Sequence, residues 1–191
     1  MKKIGIFAGA YDPIHDGHLD VANTAHSYLG LSSVYFMVEQ QPWGDKHPID
    51  FRHRSSMVAL AIKGFKHLGL LEIPDKRFSI SQTLPRLEQQ FAGDELYFIF
   101  GGDVFLNMNG NNWPGLERLL EHYVVVYERG SITEGIIAEH AKVLGITLAI
   151  LPSAHLHLAS TDVRLQPHKK AIWLPKRVAE YIDKNNLYPG Q

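Results

Sequence analysis

IGIFAGAYDPIHDGHL, residues 4–19, decides the fold, because it passes from a buried strand through a tight turn into a helix. Ile4, Ile6, Phe7 and Ala8 form a short apolar run with small residues between them, the pattern of a parallel strand covered on both faces. Gly9, Asp12 and Pro13 break it. Asp16 is the expected cap of a helix that begins near Gly17 and turns Leu19, Val21 and Ala22 toward an apolar side. A helix start carries unpaired N–H groups and the positive end of the helix dipole, so a turn that ends there suits phosphate. His15 and His18, three residues apart, place both imidazoles on the same side of that end. Two histidines at this spacing are by themselves compatible with ordinary packed or surface residues. The order of strand, glycine turn, His, Gly, His and helix is far more specific.

Outward from this stretch, strands and helices alternate. Residues 33–38 (SVYFMV), 68–73 (LGLLEI), 95–100 (ELYFIF), 123–127 (YVVVY) and 147–151 (TLAIL) read as strands. Between them, Asp50 caps a helix running to Lys63, and Ser79 with Gln82 has capping-box spacing for a helix through Leu84, Leu87 and Phe91. Residues 116–120 continue as helix, and Ser131 with Glu134 has the same capping-box spacing. Pro175 fits the first position of a last helix with Val178, Tyr181 and Ile182 inward. The expected architecture is α/β, a single doubly wound, Rossmann-like and mostly parallel sheet with helices on both faces. One domain spans 1–191, with 160–191 as its C-terminal helical portion.

Bulk properties narrow the partner. The 191 residues suffice for one ordinary core. Nineteen basic against 20 acidic side chains give a net charge of −1 and no reason to expect nucleic acid or an anionic membrane. No cysteine is present, which removes disulfides, thiolate metal sites and cysteine nucleophiles. The N-terminal apolar run stops too early for a signal peptide or a membrane span, so the expected location is cytoplasmic. A small-molecule partner fits best, and a homo-oligomer stays open.

Several further residues are candidates for the site, each with a plainer alternative. Arg54 falls in the first turn of the helix capped by Asp50, where a cation opposes the dipole unless an anion lies between; a solvated arginine is the alternative. Gly101 and Asp103 follow the strand at 95–100, where glycine lets a ligand approach and a carboxylate can accept from ribose hydroxyls; a turn with a helix cap is equally compatible. Trp113 lies in a turn-rich loop, able to stack on a flat ligand or to fold back on the domain. Ser160, Thr161 and Arg164 mark a second phosphate-compatible helix start, or an ordinary cap with an exposed arginine. Asp12, His15 and His18 could also ligate zinc or iron, but no further ligand cluster accompanies them and the adjacent glycines suit phosphate better, so no protein metal site is expected.

Taken together these segments resemble the nucleotidyltransferase superfamily, most closely the bacterial nicotinate-mononucleotide adenylyltransferases, over nearly the whole chain. AGAYDPIHDGHL is similar to the family's opening motif, KHPIDFRHRSSMVALAI to its lysine loop and following helix, and FSISQTL and FIFGGD to the segment before the glycine-aspartate strand and to that strand. LASTDVR resembles the closing ISSTxIR motif and LPKRVAEYIDKNNLY the C-terminal helix. The resemblance implies an enzyme that joins ATP to nicotinate mononucleotide and releases pyrophosphate. It implies that His15 and His18 hold the reacting phosphates and that Lys46 and Arg164 meet the departing ones, with Mg²⁺ bridging them. Gly9, Ala10, Tyr11, Gly101, Asp103, Ser160 and Thr161 would line the ATP side, and Arg54, Thr83 and Trp113 the pyridine nucleotide. The chain departs from the pattern at Ala8, Ala10, Asp45 and Ala159, and adds Trp43 to a ligand loop. Phosphopantetheine or nicotinamide mononucleotide as acceptor, or an inactive nucleotide-binding regulator, are the alternatives.

Overall fold

The computed structural model describes residues 1–43, 47–152 and 158–189. In chain order it forms β1 (Lys3–Gly9), α1 (Asp16–Leu29), β2 (Ser33–Val38), α2 (Phe51–Ile62), β3 (Leu68–Leu71), α3 (Thr83–Gln90), β4 (Glu95–Gly101) and α4 (Gly102–Phe105). Then follow α5 (Leu116–Leu119), β5 (Tyr123–Tyr127), α6 (Glu134–Leu144), β6 (Ala149–Leu151), α7 (Ser160–Leu165), a 3-10 turn (Pro167–Lys169), α8 (Lys170–Trp173) and α9 (Lys176–Lys184). The six strands make one sheet in the order β3-β2-β1-β4-β5-β6, every neighbouring pair parallel.

Strand alternation divides the core into two layers. Phe7, Phe36, Ile99 and Val125 pack with residues of α1, α2, α7 and α9 on one face, whereas Ile4, Ile6, Phe98 and Val126 pack with α3 through α6 on the other. Both sheet faces are therefore buried, which is why the strands read as nearly continuous apolar runs. Each large apolar side chain taken out of water contributes about 1.5–3 kcal/mol, so the two layers dominate the stability of the scaffold.

Local details depart from the sequence expectations for identifiable reasons. The cap of α1 is His15, not Asp16: His15 is extended at φ −142 and ψ 171, and its N–H donates to His18 Nδ1 at 3.2 Å. Ser79 Oγ accepts from Gln82 N as the capping spacing suggests, but that bond closes a turn and α3 begins later, at Thr83. Thr133, not Ser131, precedes α6, and the first amide of that helix donates to the Glu128 carboxylate at 2.6 Å. Pro175 stands one position before α9. The edge strands β3 and β6 are shorter than their apolar runs, and α4 and α8, four residues each, are too short to leave a periodic signal.

Candidate active site

The sheet order reverses at β1 and β4, so the helices that follow these two strands diverge and leave a crevice above their C-terminal ends. A cleft of about 1230 Å³ opens there, lined from both strands, from the segments around Trp43, Phe78 and Trp113, and from α7.

The turn after β1 is built around Tyr11. Its backbone is left-handed at φ 50, its ring is buried edge-on to Phe7 and Phe36, and its hydroxyl donates to Phe7 O at 2.6 Å. That ring also lies edge-on to His18, 5.0 Å away, while His15 stacks on the other histidine at 3.7 Å between centroids. His18 is thus fixed in orientation. Because a backbone N–H can only donate, the bond from His15 N makes Nδ1 of His18 an acceptor and puts the proton of the neutral ring on Nε2. Burial, then the neighbouring His15 and Arg129, push the His18 imidazole well below its usual range. The ring is consequently neutral with its N–H at Nε2, and it lines the cleft.

The second wall starts at Gly101. A Cβ there would lie 2.5 Å from Asp103 Oδ1, which the partly exposed Asp103 side chain can relieve by moving, and one at Gly102 would lie 2.7 Å from the Ile132 side chain, so the passage is tightest at Gly102. Asp103 is paired with Arg129 at 3.2 Å, both partly exposed on the cleft. Burial raises the nearby Tyr127 hydroxyl to about 12, so it remains protonated.

From the C-terminal portion, Ser160 Oγ donates to Pro13 O at 2.9 Å and Arg164 Nη1 to Asp12 O at 2.5 Å. These bonds seat α7 on the β1–α1 turn. At the far end the cleft is aromatic: Trp113 lies 6.3 Å from Phe78 and 5.8 Å from Phe100 between ring centroids, and the Trp43 indole donates to Phe78 O at 3.3 Å. Arg77 lies over the Trp43 ring at 4.4 Å. Trp113 is therefore folded onto the domain, as one of its sequence readings has it, and at the same time lines the cleft.

Gly9, Ala10, Tyr11, His18, Gly101, Asp103, Trp113, Ser160, Thr161 and Arg164 are brought together on the cleft. Three expected ligands are not. His15, 3% exposed, lies behind His18 and holds it in place. Arg54 is 1% exposed, and its guanidinium donates to the carbonyls of Ile49, Ala10, Glu39 and Gln40, so burial and four internal acceptors withdraw it from any ligand. Thr83 is fully buried, accepting from Ser79 N and donating to Arg77 O at the head of α3. Lys46 lies outside the described residues. Arg129 and Phe78 on the lining were not singled out from sequence; an arginine just past an apolar strand was the available signal for the first, and the FSISQTL segment that Phe78 opens for the second. Of the alternative metal ligands, His18 Nδ1 accepts from a backbone amide and Asp12 Oδ1 from Tyr188, and among the described residues no group of three or more His, Cys, Asp or Glu is placed to hold a metal ion.

A family model described as cytidylyltransferase-like matches residues 6–166. The "Probable nicotinate-nucleotide adenylyltransferase" of Clostridium perfringens is 30% identical over a 201-residue alignment that covers 98% of each chain. A protein of the same name from Bacillus pumilus is 29% identical, covering 98% of this chain and 99% of its own. The structure of Plasmodium falciparum nicotinic acid mononucleotide adenylyltransferase complexed with NaAD matches with a TM-score of 0.81 at 18% identity, over 100% of this chain and 99% of that one, a likeness of fold.

Proposed function

The chain belongs to the cytidylyltransferase-like family and, within it, to the nicotinate-nucleotide adenylyltransferases, and we propose that it transfers AMP from ATP to nicotinate mononucleotide in the cytoplasm. The observation that carries this reading is the placement of a neutral His18 Nε2–H at a helix start above the switch point of the sheet. A phosphate oxygen of the mononucleotide attacks the α-phosphorus of ATP, the bond from that phosphorus to the bridging oxygen breaks, and pyrophosphate leaves with the electron pair. No covalent nucleophile is needed; the site has to align two anions and offer donors where charge builds.

In this assignment His18 donates to an α-phosphate oxygen and His15 keeps it aimed. Arg164 and Lys46 receive the β- and γ-phosphates, with Ser160 and Thr161 beside them, and Gly9, Ala10, Tyr11, Gly101 and Asp103 form the ATP wall. Trp113, together with Phe78 and Trp43, packs against the pyridine ring. The cleft exceeds the roughly 300–1,000 Å³ of a typical single-ligand pocket, as two nucleotides side by side require. Mg²⁺ would accompany ATP and help neutralise charge on its phosphates, beside the Arg164 and Lys46 cations assigned to them.

Pyrophosphate release is measured with ATP, Mg²⁺ and one acceptor at a time. Turnover with nicotinate mononucleotide above that with the amide is expected. Turnover with phosphopantetheine alone would overturn the acceptor, and ATP binding with no turnover on any acceptor would overturn the enzyme.

A further inference from the structure

The C-terminal segment reaches into this cleft. After α9 the chain turns back, with Leu187 N donating to Ile182 O at 3.0 Å, and delivers Tyr188 onto the cleft lining. Tyr188 is 6% exposed and left-handed at φ 58, a conformation that a bulky L residue rarely adopts without tertiary contacts that hold it. Its hydroxyl donates to Asp12 Oδ1 at 2.7 Å. Burial, and next the Asp12 charge, raise that hydroxyl far above its usual range, which keeps the proton on it and the bond in place.

Asp12 is shared. Oδ1 takes the short bond from Tyr188 and a long one, 3.4 Å, from Ile49 N, while Oδ2 faces Arg164 Nη1 at 3.4 Å. The same Arg164 nitrogen has its short bond to the carbonyl of Asp12, and Nη2 donates to Thr161 Oγ1 at 3.2 Å. A charge-assisted pair at 3.4 Å is outside the 2.7–2.9 Å of a close one, so the carboxylate makes its shortest hydrogen bond to the tyrosine and only a long contact with the arginine.

We propose that Tyr188 is a positioning residue for triphosphate binding: its bond to Oδ1 holds Asp12 so that Oδ2 keeps only a long ion pair with Arg164, and the guanidinium, anchored through Nη1 on the Asp12 carbonyl, is left with charge to offer the β- and γ-phosphates of ATP. The proposal rests on Arg164 serving those phosphates, as in the function above. Removal of the hydroxyl leaves Asp12 a stronger competitor for the arginine, and the loss is confined to ligands that carry the outer phosphates.

Calorimetric binding of ATP and of AMP to the full chain separates this from a packing role. Tyr188→Phe, which keeps the ring, is expected to weaken ATP by about fivefold, the size of one coupling within a shared network, while AMP affinity stays within twofold. In an Asp12→Asn background the same substitution is expected to have no effect on ATP, because the competing charge is gone. Equal weakening of ATP and AMP, or an undiminished effect in the D12N background, would overturn the proposal. Should the Tyr188→Phe chain fail to fold, Asp12→Asn alone decides: the ratio of ATP to AMP affinity stays level or rises, and a fall overturns the idea. These readouts need no turnover, so ATP binding without pyrophosphate release defeats the enzymatic reading alone, and no ATP binding by the unaltered chain defeats both.

Discussion

The two ends of the cleft are held by different forces. At the end built from the β1–α1 turn and α7, Tyr11, Ser160 and Arg164 donate to backbone carbonyls at 2.5–2.9 Å and His15 N donates to His18 Nδ1 at 3.2 Å, so His18 is oriented by the fold itself. At the far end, Trp43, Phe78, Trp113 and Phe100 meet mainly through ring contacts between separate segments, with one indole hydrogen bond. Hydrogen bonds set direction, which a phosphoryl transfer needs; aromatic surfaces set area, which suffices to hold a ring. Chemistry and acceptor affinity should therefore be separable by substitution.

The strongest break is His18→Ala. Turnover is expected to fall about 10²–10³-fold, the usual cost of one preorganised donor, while ATP affinity changes several-fold at most; steady-state kinetics beside calorimetry reads both, and equal losses in the two would remove the transition-state role. Next is Arg54→Met. It leaves the carbonyls of Ala10, Ile49, Glu39 and Gln40 without their buried donor and should cost about 3 kcal/mol or more of folding free energy. Urea unfolding measures it, and a loss under about 1 kcal/mol would show that the strut is dispensable. Trp113→Ala sharpens the contrast from the other side. Losing its stacking surface should raise the acceptor KM about tenfold with the KM for ATP nearly unchanged.

The smallest effect is on pH. His18 is held well below its usual range in the folded protein, whereas in the unfolded chain it titrates near 6.5. Below that value the unfolded state binds the extra proton and the native state does not, so the His18 contribution lowers stability as pH falls and is absent above about pH 7.5. The melting temperature should therefore drop between pH 7.5 and 5.5, less steeply in His18→Gln. An identical slope in the two proteins would contradict the shift.

The same contrast explains what could be read from sequence. The strands and the turn from β1 into α1 were legible because burial on both faces and a glycine-bounded turn leave dense local patterns, as residues 4–19 and 95–103 show. Arg54 was not, since its acceptors Ala10 and Glu39 lie 44 and 15 residues away and its helix position looks solvent-facing. Thr83 likewise owes its burial to contacts with Arg77 and Ser79 in a non-helical segment. The aromatic end joins rings from distant segments, and Tyr188 meets Asp12 across 176 residues, so no local window contains either pairing.

A crystal structure with ATP bound tests the central claim most directly. Its α-phosphate is expected within hydrogen-bonding distance of His18 Nε2, with the outer phosphates turned toward Arg164. A triphosphate seated elsewhere, with both rings of the His15–His18 stack untouched by ligand, would contradict the account.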